Sequence, residues 1–355
     1  MKFLIAGGGT GGHLFPALAL ADALKARGGE VMLVGSGRRI EDLVLRGREF
    51  PVVKLEAEGM VGRPLVAKFR ALARLMKAVS QARDIIRSYK PQLVFGVGGY
   101  ASFPVLLAAK LGRLPTAIHE QNSIPGLANR FLARLVDRIF VSFPVSNRYF
   151  PRHKTVVSGN PVRREVLLPR AREHRGTGLL VTGGSQGARF LNRLLLEMAP
   201  RLFEEVPDLF LVHQTGFLDY ELVQASYRGQ GLAVRVEPFL QDMAWAYAQA
   251  DLVLCRAGAT TIAELSALGK PAILIPYPHA THGHQEMNAR LVAEAGGGLF
   301  FREDEIEAPR MAETLVSLLR DAEKRARMAR KMKDFMPRNA LEIILTETEA
   351  MVAYA

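Results

Sequence analysis

Cysteine is almost missing from this chain, with one in 355 residues. That excludes a disulfide framework and a multi-cysteine zinc site, and it suits a reducing compartment. A long uninterrupted apolar run is missing too. The longest uncharged stretch, 19 residues between Lys90 and Lys110, is cut by Pro91, Gly96, Gly98, Gly99, Ser102 and Pro104. It reads as a buried strand, a turn and a helix rather than a membrane span. Met1-Lys2 leads into only Phe3-Leu4-Ile5-Ala6 before the glycines begin, too short for a secretory signal core. The expectation is a soluble or peripheral protein. Wholesale disorder is excluded by 49% hydrophobic and 23% charged residues, close to the globular average. At roughly 150 residues per domain, the length predicts two domains.

Negative charge is scarce in the first half alone. Residues 1–157 hold 24 Lys and Arg against 10 Asp and Glu, and 158–355 hold 23 against 25, so +14 and −2 return the net +12. The asymmetry points to an anionic partner for the first half: nucleic acid, an acidic lipid surface or a polyanionic ligand. A merely solubilising surface is the plainer alternative.

One pattern occurs twice. Lys2-Phe3-Leu4-Ile5-Ala6 runs into Gly7-Gly8-Gly9-Thr10-Gly11-Gly12 and then a helical pattern from Leu14 to Ala26. Gly178-Leu179-Leu180-Val181-Thr182 runs into Gly183-Gly184-Ser185-Gln186-Gly187 and a helix from Ala188 to about Met198. A second pair matches likewise: Leu93-Val94-Phe95 leads to Gly96–Gly99, and Leu252-Val253-Leu254 leads to Cys255–Ala259, with a helix start near Thr260-Thr261. Short apolar runs alternating with helical patterns mean parallel strands buried on both faces. The reading is α/β, two Rossmann-like doubly wound domains facing a central cleft. The domains are expected over 1–158 and 159–337, meeting near Ser158-Gly159-Asn160-Pro161, with 338–355 a last helix returning to the first domain. Residues 303–335 read as amphipathic helices with a basic face.

Ligands of parallel sheets sit at the carboxyl ends of strands, where a helix start offers free N–H groups and positive potential to a phosphate. Four such loops are expected, although any one of them could be only a tight turn. Gly7, Gly9 and Gly12 satisfy G-x-G-x-x-G, but the second strand ends in Gly35-Ser36-Gly37-Arg38-Arg39, with no carboxylate for a ribose diol. Arg38-Arg39 would suit a 2′-phosphate, which keeps an NADP oxidoreductase open. No Lys-Ser/Thr closes either loop, so a P-loop ATPase is not expected. Glu264, early in its helix, could accept both hydroxyls of a ribose, or could simply complement the helix start. His13 could be a general base or could pack the loop. His119-Glu120-Gln121-Asn122 at a strand end reads as a site rather than a core. His279, His282 and His284 raise a zinc site, but no Asp stands nearby, and the expectation is no metal. Cys255 reads as an inert small apolar residue.

Leu65, Phe69, Leu72, Met76 and Val79 recur at helical spacing among Arg63, Lys68, Arg70, Arg74 and Lys77. Such a helix can lie on an anionic membrane or turn its stripe to the core.

Six motifs taken in order resemble the MurG family, peptidoglycan N-acetylglucosaminyltransferases of GT-B fold. They are Gly8–His13 with Phe15-Pro16, Gly98-Gly99-Tyr100-Ala101-Ser102, His119–Asn122, Gly159-Asn160-Pro161-Val162-Arg163, Gly183–Arg189, and the Gln285/Asn288 segment. The resemblance spans about residues 1 to 300. It implies an inverting transfer of N-acetylglucosamine from UDP-GlcNAc to the 4-hydroxyl of MurNAc-pentapeptide on undecaprenyl diphosphate. No cofactor is implied. By similarity Arg163 and Ser185 contact the donor diphosphate, Leu240 borders the uracil, and Glu264 holds the ribose. Ala259, Thr260 and Thr261 lie against the phosphates, and His284 and Gln285 near the sugar. Thr10, Gly11, Gly12 and Asn122 close on the donor from the first domain. Thr260 and His284 occupy places where members vary, so backbone contacts are expected there rather than side-chain ones. The acceptor diphosphate would use Gly9, Gly98, Gly99 and Tyr100. Leu65, Lys68, Phe69, Arg70, Leu72, Arg74, Met76 and Lys77 become a membrane dock for a peripheral protein on the cytoplasmic face, alongside other cell-wall synthesis or division proteins. The expected base is His13, with Glu120 second. The rivals are a UDP-GlcNAc 2-epimerase, the NADP oxidoreductase, and a scaffold or nucleic-acid binder; no aromatic-basic interleaving favours nucleic acid.

Overall fold

A computed structural model describes residues 1–8, 11–37, 41, 44–45, 48, 50–55, 65–99 and 101–353, with the backbone alone over 65–72. The chain forms two compact units, Met1–Arg163 with Asn339–Ala355, and Arg164–Arg338. The division falls after Arg163 rather than after Ser158. The amides of Ser158 and Gly159 both donate to Val141 O, His119 Nε2 lies 2.9 Å from Gly159 O, and Arg163 stacks on Phe15. These contacts hold 159–163 to the first unit.

In the first unit the strands are β1 (Lys2–Ala6), β2 (Glu30–Gly35), β3 (Val52–Lys54), β4 (Leu93–Gly96), β5 (Thr116–Glu120), β6 (Arg138–Val141) and β7 (Thr155–Val157). They pair in the order β3-β2-β1-β4-β5-β6-β7, and every pairing is parallel. Helices cover both faces: α1 (Gly11–Ala26), α2 (Leu65–Tyr89), α3 (Ser102–Leu111) and α4 (Leu127–Leu132). The apolar runs at Lys2–Ala6 and Leu93–Gly96 are buried because neither face of a doubly wound sheet meets water. Helix α1 begins at Gly11, three residues before the periodic stripe starts, so the glycines themselves form its first turn. The last helix, Ala340–Ala353, buries Ile344 and Leu345 beside Leu14, Leu18 and Phe140. Arg27 adds ion pairs to Glu342 and Glu349.

The second unit repeats the plan. Its strands are β8 (Gly178–Thr182), β9 (Phe210–Gln214), β10 (Val234–Glu237), β11 (Leu252–Cys255), β12 (Ala272–Leu274) and β13 (Gly298–Phe300), ordered β10-β9-β8-β11-β12-β13 and all parallel. The helix after β8, α5, runs Arg189–Glu205, beyond the expected end at Met198. Leu191, Leu194, Leu195, Met198, Ala199 and Leu202 keep one buried face through Pro200. Then come α6 (Tyr220–Tyr227), α7 (Met243–Gln249), α8 (Ala259–Leu268) and α9 (His284–Glu294). The 303–335 region holds α10 (Ala308–Arg320) and α11 (Ala322–Lys333), which makes the last helix α12. In both sheets the strand order reverses beside the first strand, between β1 and β4 and between β8 and β11. In sheets of this kind that reversal is where ligands bind, outside the carboxyl ends of the strands.

Candidate functional site

In the first unit two glycine loops meet at that reversal. A Cβ on Gly99 would stand 2.5 Å from Gly8 O, and one on Gly98 would stand 2.7 Å from His13 Cδ2. Both residues have positive φ, 90° and 80° for Gly98 and Gly99, so glycine is required for backbone angle and for space. Ser102 Oγ lies 2.7 Å from both Ala6 O and Gly98 O and ties the second loop to β1. His13, third residue of α1 after Gly11 and Gly12, is half-buried with its ring against Gly98. Gly9, Thr10 and Tyr100, and with them Arg38, Arg39 and Arg63, lie outside the described residues.

The polar run that ends β5 is mostly interior, where the sequence reads as a site rather than a core. His119, Glu120 and Gln121 are buried, and Asn122 is half-buried. His119 Nε2–H donates to Gly159 O, and Gln121 Nε2 approaches His119 Nδ1 at 3.1 Å. The Glu120 carboxylate accepts from Asn122 N at 3.0 Å, Gly126 N at 3.2 Å and Asn129 Nδ2 at 2.8 Å. Burial raises its pKa, against the lowering effect of those donors. Its lone pairs hold the 120–129 turn together, so the structure gives it the surroundings of a brace. Arg163, also buried, lays its guanidinium 4.0 Å over the Phe15 ring, so the residue two places beyond His13 is its platform.

In the second unit the loop after β8 is built from contacts only glycine allows. A Cβ on Gly187 would stand 2.1 Å from Thr215 O, and one on Gly216 would stand 2.4 Å from Gln186 O. Gln214 Nε2 donates to Gly184 O at 2.9 Å, and Gly184 N donates to Thr182 Oγ1 at 3.2 Å. Half-buried Ser185 rides on this loop. Beside it, α8 starts at Ala259 with Gly258 as its cap and no side-chain cap bond, and a helix start carries the positive potential that suits an anion. Glu264, the sixth residue of α8, is buried and accepts from Tyr247 O–H at 2.9 Å. Leu240 is buried in the loop before α7. Half-buried Gln285 receives Tyr277 N at 2.9 Å, and His284 Nδ1 lies 2.7 Å from Thr281 O. Burial lowers the His284 pKa, and nearby His282 adds to that. Among the described residues no three His, Cys, Asp or Glu side chains gather to hold a metal ion. Burial pushes the Cys255 thiol up to about 12.

Two residues were missed by sequence. Arg256, buried after β11, donates to Ile275 O and Pro276 O and pairs with Glu303. Glu41, buried beyond β2, had no local signal at all. On α2, Ala78, Val79 and Ala82 are core, whereas Arg74, Met76 and Lys77 are exposed. Val79 therefore belongs to the core half of the stripe. The side chains of Leu65, Lys68, Phe69, Arg70 and Leu72 lie outside the described residues. Among the described residues no helix is long and apolar enough to cross a membrane.

Burial holds two imidazoles neutral, lowering the pKa of His119 to about 4 and of His213 to about 3. Below ~6.5 the unfolded chain binds protons that the folded chain refuses, so this stability is whole above ~6.5 and drains as pH falls. Each ring is expected to cost about 1.4 kcal/mol per pH unit between 6.5 and its folded value. Urea midpoints measured from pH 7 to 4.5 check this; a flat profile would contradict it.

Residues 3–141 match the glycosyltransferase family 28 N-terminal domain, and residues 178–342 match its C-terminal domain. A UDP-N-acetylglucosamine--N-acetylmuramyl-(pentapeptide) pyrophosphoryl-undecaprenol N-acetylglucosamine transferase of Desulfotalea psychrophila is 46% identical over 96% of this chain and 94% of its own. The crystal structure of Acinetobacter baumannii MurG superposes with a TM-score of 0.77 at 30% identity, covering 99% of this chain and 100% of that one. The UDP-GlcNAc 2-epimerase of Neisseria meningitidis, bound to UDP-GlcNAc, has a TM-score of 0.68 at 16% identity, covering 99% and 100%, and shares the fold alone.

Proposed function

Because the chain belongs to glycosyltransferase family 28 and within it to the MurG family, we propose that its two sets of switch-point loops perform that family's transfer. N-acetylglucosamine passes from UDP-GlcNAc to the 4-hydroxyl of the lipid-linked MurNAc-pentapeptide, the step named in the relatives. The observation that carries this is the pairing, in the second unit, of the Gly183–Gly187 loop with the N-terminus of α8 and with Glu264 one and a half turns along. A diphosphate suits the amides and a ribose diol suits the carboxylate. The NADP reading rested on Arg38 and Arg39, which lie outside the described residues, and the family models and relatives favour the glycosyltransferase over it.

In our reading Ser185 and the amides of Ala259, Thr260 and Thr261 take the donor diphosphate, Leu240 borders the uracil, and His284 and Gln285 lie by the sugar. The family resemblance assigns Gly11, Gly12, Asn122 and Arg163 to the donor, and Gly98 and Gly99 to the acceptor diphosphate. His13 removes the proton of the acceptor hydroxyl as that oxygen attacks the anomeric carbon. The bond to UDP breaks on the opposite side, which inverts the centre. Charge arriving on the leaving diphosphate is met by helix N-termini and Arg163, preorganised donors that need no solvent rearrangement. Glu120 keeps the turn at 120–129 in shape. Label from radiolabelled UDP-GlcNAc should enter the lipid fraction when a lipid-linked MurNAc-pentapeptide analogue is supplied, at an undiminished rate in excess chelator. A strict Mg²⁺ requirement would refute the metal-independent step, and free N-acetylmannosamine from donor alone would point to an epimerase.

The exposed Arg74, Met76 and Lys77 on α2 support a dock on an anionic lipid surface. At ~1 kcal/mol per basic residue near such a surface, Arg74→Glu with Lys77→Glu should weaken binding to anionic vesicles about tenfold or more. Unchanged vesicle binding would remove this face from the dock.

A further inference from the structure

Six residues beyond the end of β2 the chain returns a carboxylate to the base of the first unit's loops. Glu41 is 2% exposed. Its Oε1 accepts Ser36 N at 3.0 Å and Ser36 Oγ at 2.7 Å, and its Oε2 accepts Gly37 N at 2.8 Å. Leu45 N donates to Glu41 O at 2.9 Å and fixes the backbone at that residue. The carboxylate fills the places where side chains of Gly8 and Gly35 would begin. A Cβ on Gly8 would stand 2.3 Å from Oε1, and one on Gly35 would stand 2.5 Å from Oε2. The same Gly8 presents its carbonyl to Gly99, and Gly98 backs the His13 ring. Carboxylate, first loop, second loop and imidazole thus form one continuous run of contacts, with glycines leaving no slack between them.

We infer that Glu41 is a positioning residue for His13, setting the spacing of the two glycine loops against which the imidazole rests. This rests on the assignment of His13 as base. In dinucleotide-binding sheets a carboxylate at the end of the second strand holds a ribose. Here it is consumed by its own loop and acts on protein instead. Three donors converging on two oxygens require an acceptor at both. Glutamine keeps the shape but turns an NH₂ toward at least one N–H, so the loop must shift. Displacements near 1 Å at a reacting group cost about 100-fold in rate.

The test is a double-mutant cycle on the full chain, with kcat and KM measured for glycosyl transfer. Glu41→Gln is expected to lower kcat about 10–100-fold and to leave KM for UDP-GlcNAc within about twofold, because in our reading the donor is held mainly by the second unit. In a His13→Ala background the same change should cost less than about twofold, since the group it positions is gone. Ser36→Ala, which deletes one donor and spares the carboxylate, should show a smaller loss with the same non-additivity, and it serves if Glu41→Gln fails to fold. Val136→Ala, a truncation in the core cluster on the other face of this sheet, controls for destabilisation and should leave kcat within about twofold. Additive losses, or a Glu41→Gln kcat within twofold of the parent, would overturn the inference. A His13→Ala loss below threefold would instead remove the base assignment on which it stands.

Discussion

His13→Ala is expected to lower kcat by about 10²–10⁴-fold, the usual worth of a positioned general base. The ring stands on the first turn of α1 at the carboxyl end of the sheet, half-buried and backed by Gly98, and it is the base of the proposed reaction. Backing matters because a base that swings loses the advantage of proximity. The effect should fall on kcat, with KM for UDP-GlcNAc little changed, because proton transfer belongs to the transition state. Single-turnover transfer measured with saturating donor reads this directly. A loss under threefold would exclude His13 as base. Glu120 would not inherit the role easily, for its two oxygens already accept from three strong donors.

Arg163→Ala carries the second large effect. Removing a preorganised donor from a site of developing charge costs about 10²–10³-fold in kcat. Here the guanidinium is buried and held 4.0 Å over Phe15, so in the proposed reaction it needs little reorganisation as the diphosphate gains charge. Arg163→Lys should recover only a small part of the rate, since an ammonium lacks the planar face that stacks on the ring and the fork that bridges phosphate oxygens. Phe15→Leu should weaken the arginine without touching its charge. A fully active Arg163→Lys variant would show that charge alone suffices and that the stack is incidental.

Much of the architecture was legible because it is written at short range. Leu93-Val94-Phe95 and Leu252-Val253-Leu254 are continuous apolar runs, and a strand buried on both faces needs nothing else. The glycine loops after β1, β4 and β8 were legible for a similar reason, since only glycine accepts the backbone angles at Gly98, Gly99 and Gly187. Helix limits were less legible. The stripe of α5 continues through Pro200 because its buried partners lie on other elements, which no local rule includes.

Chain-local chemistry thus determined which segments are strands, which turns are built of glycine, and that His13 and Glu264 stand near the starts of their helices. Tertiary structure decided which polar groups remain available for chemistry. It enclosed Glu120 among donors from its own turn, placed Phe15 beneath Arg163, drew 159–163 to the first unit, and returned Glu41 to the back of Gly8. The physical reason is that a period or a backbone angle is a property of neighbours in sequence. The satisfaction of a buried charge depends on atoms that meet only when distant segments pack.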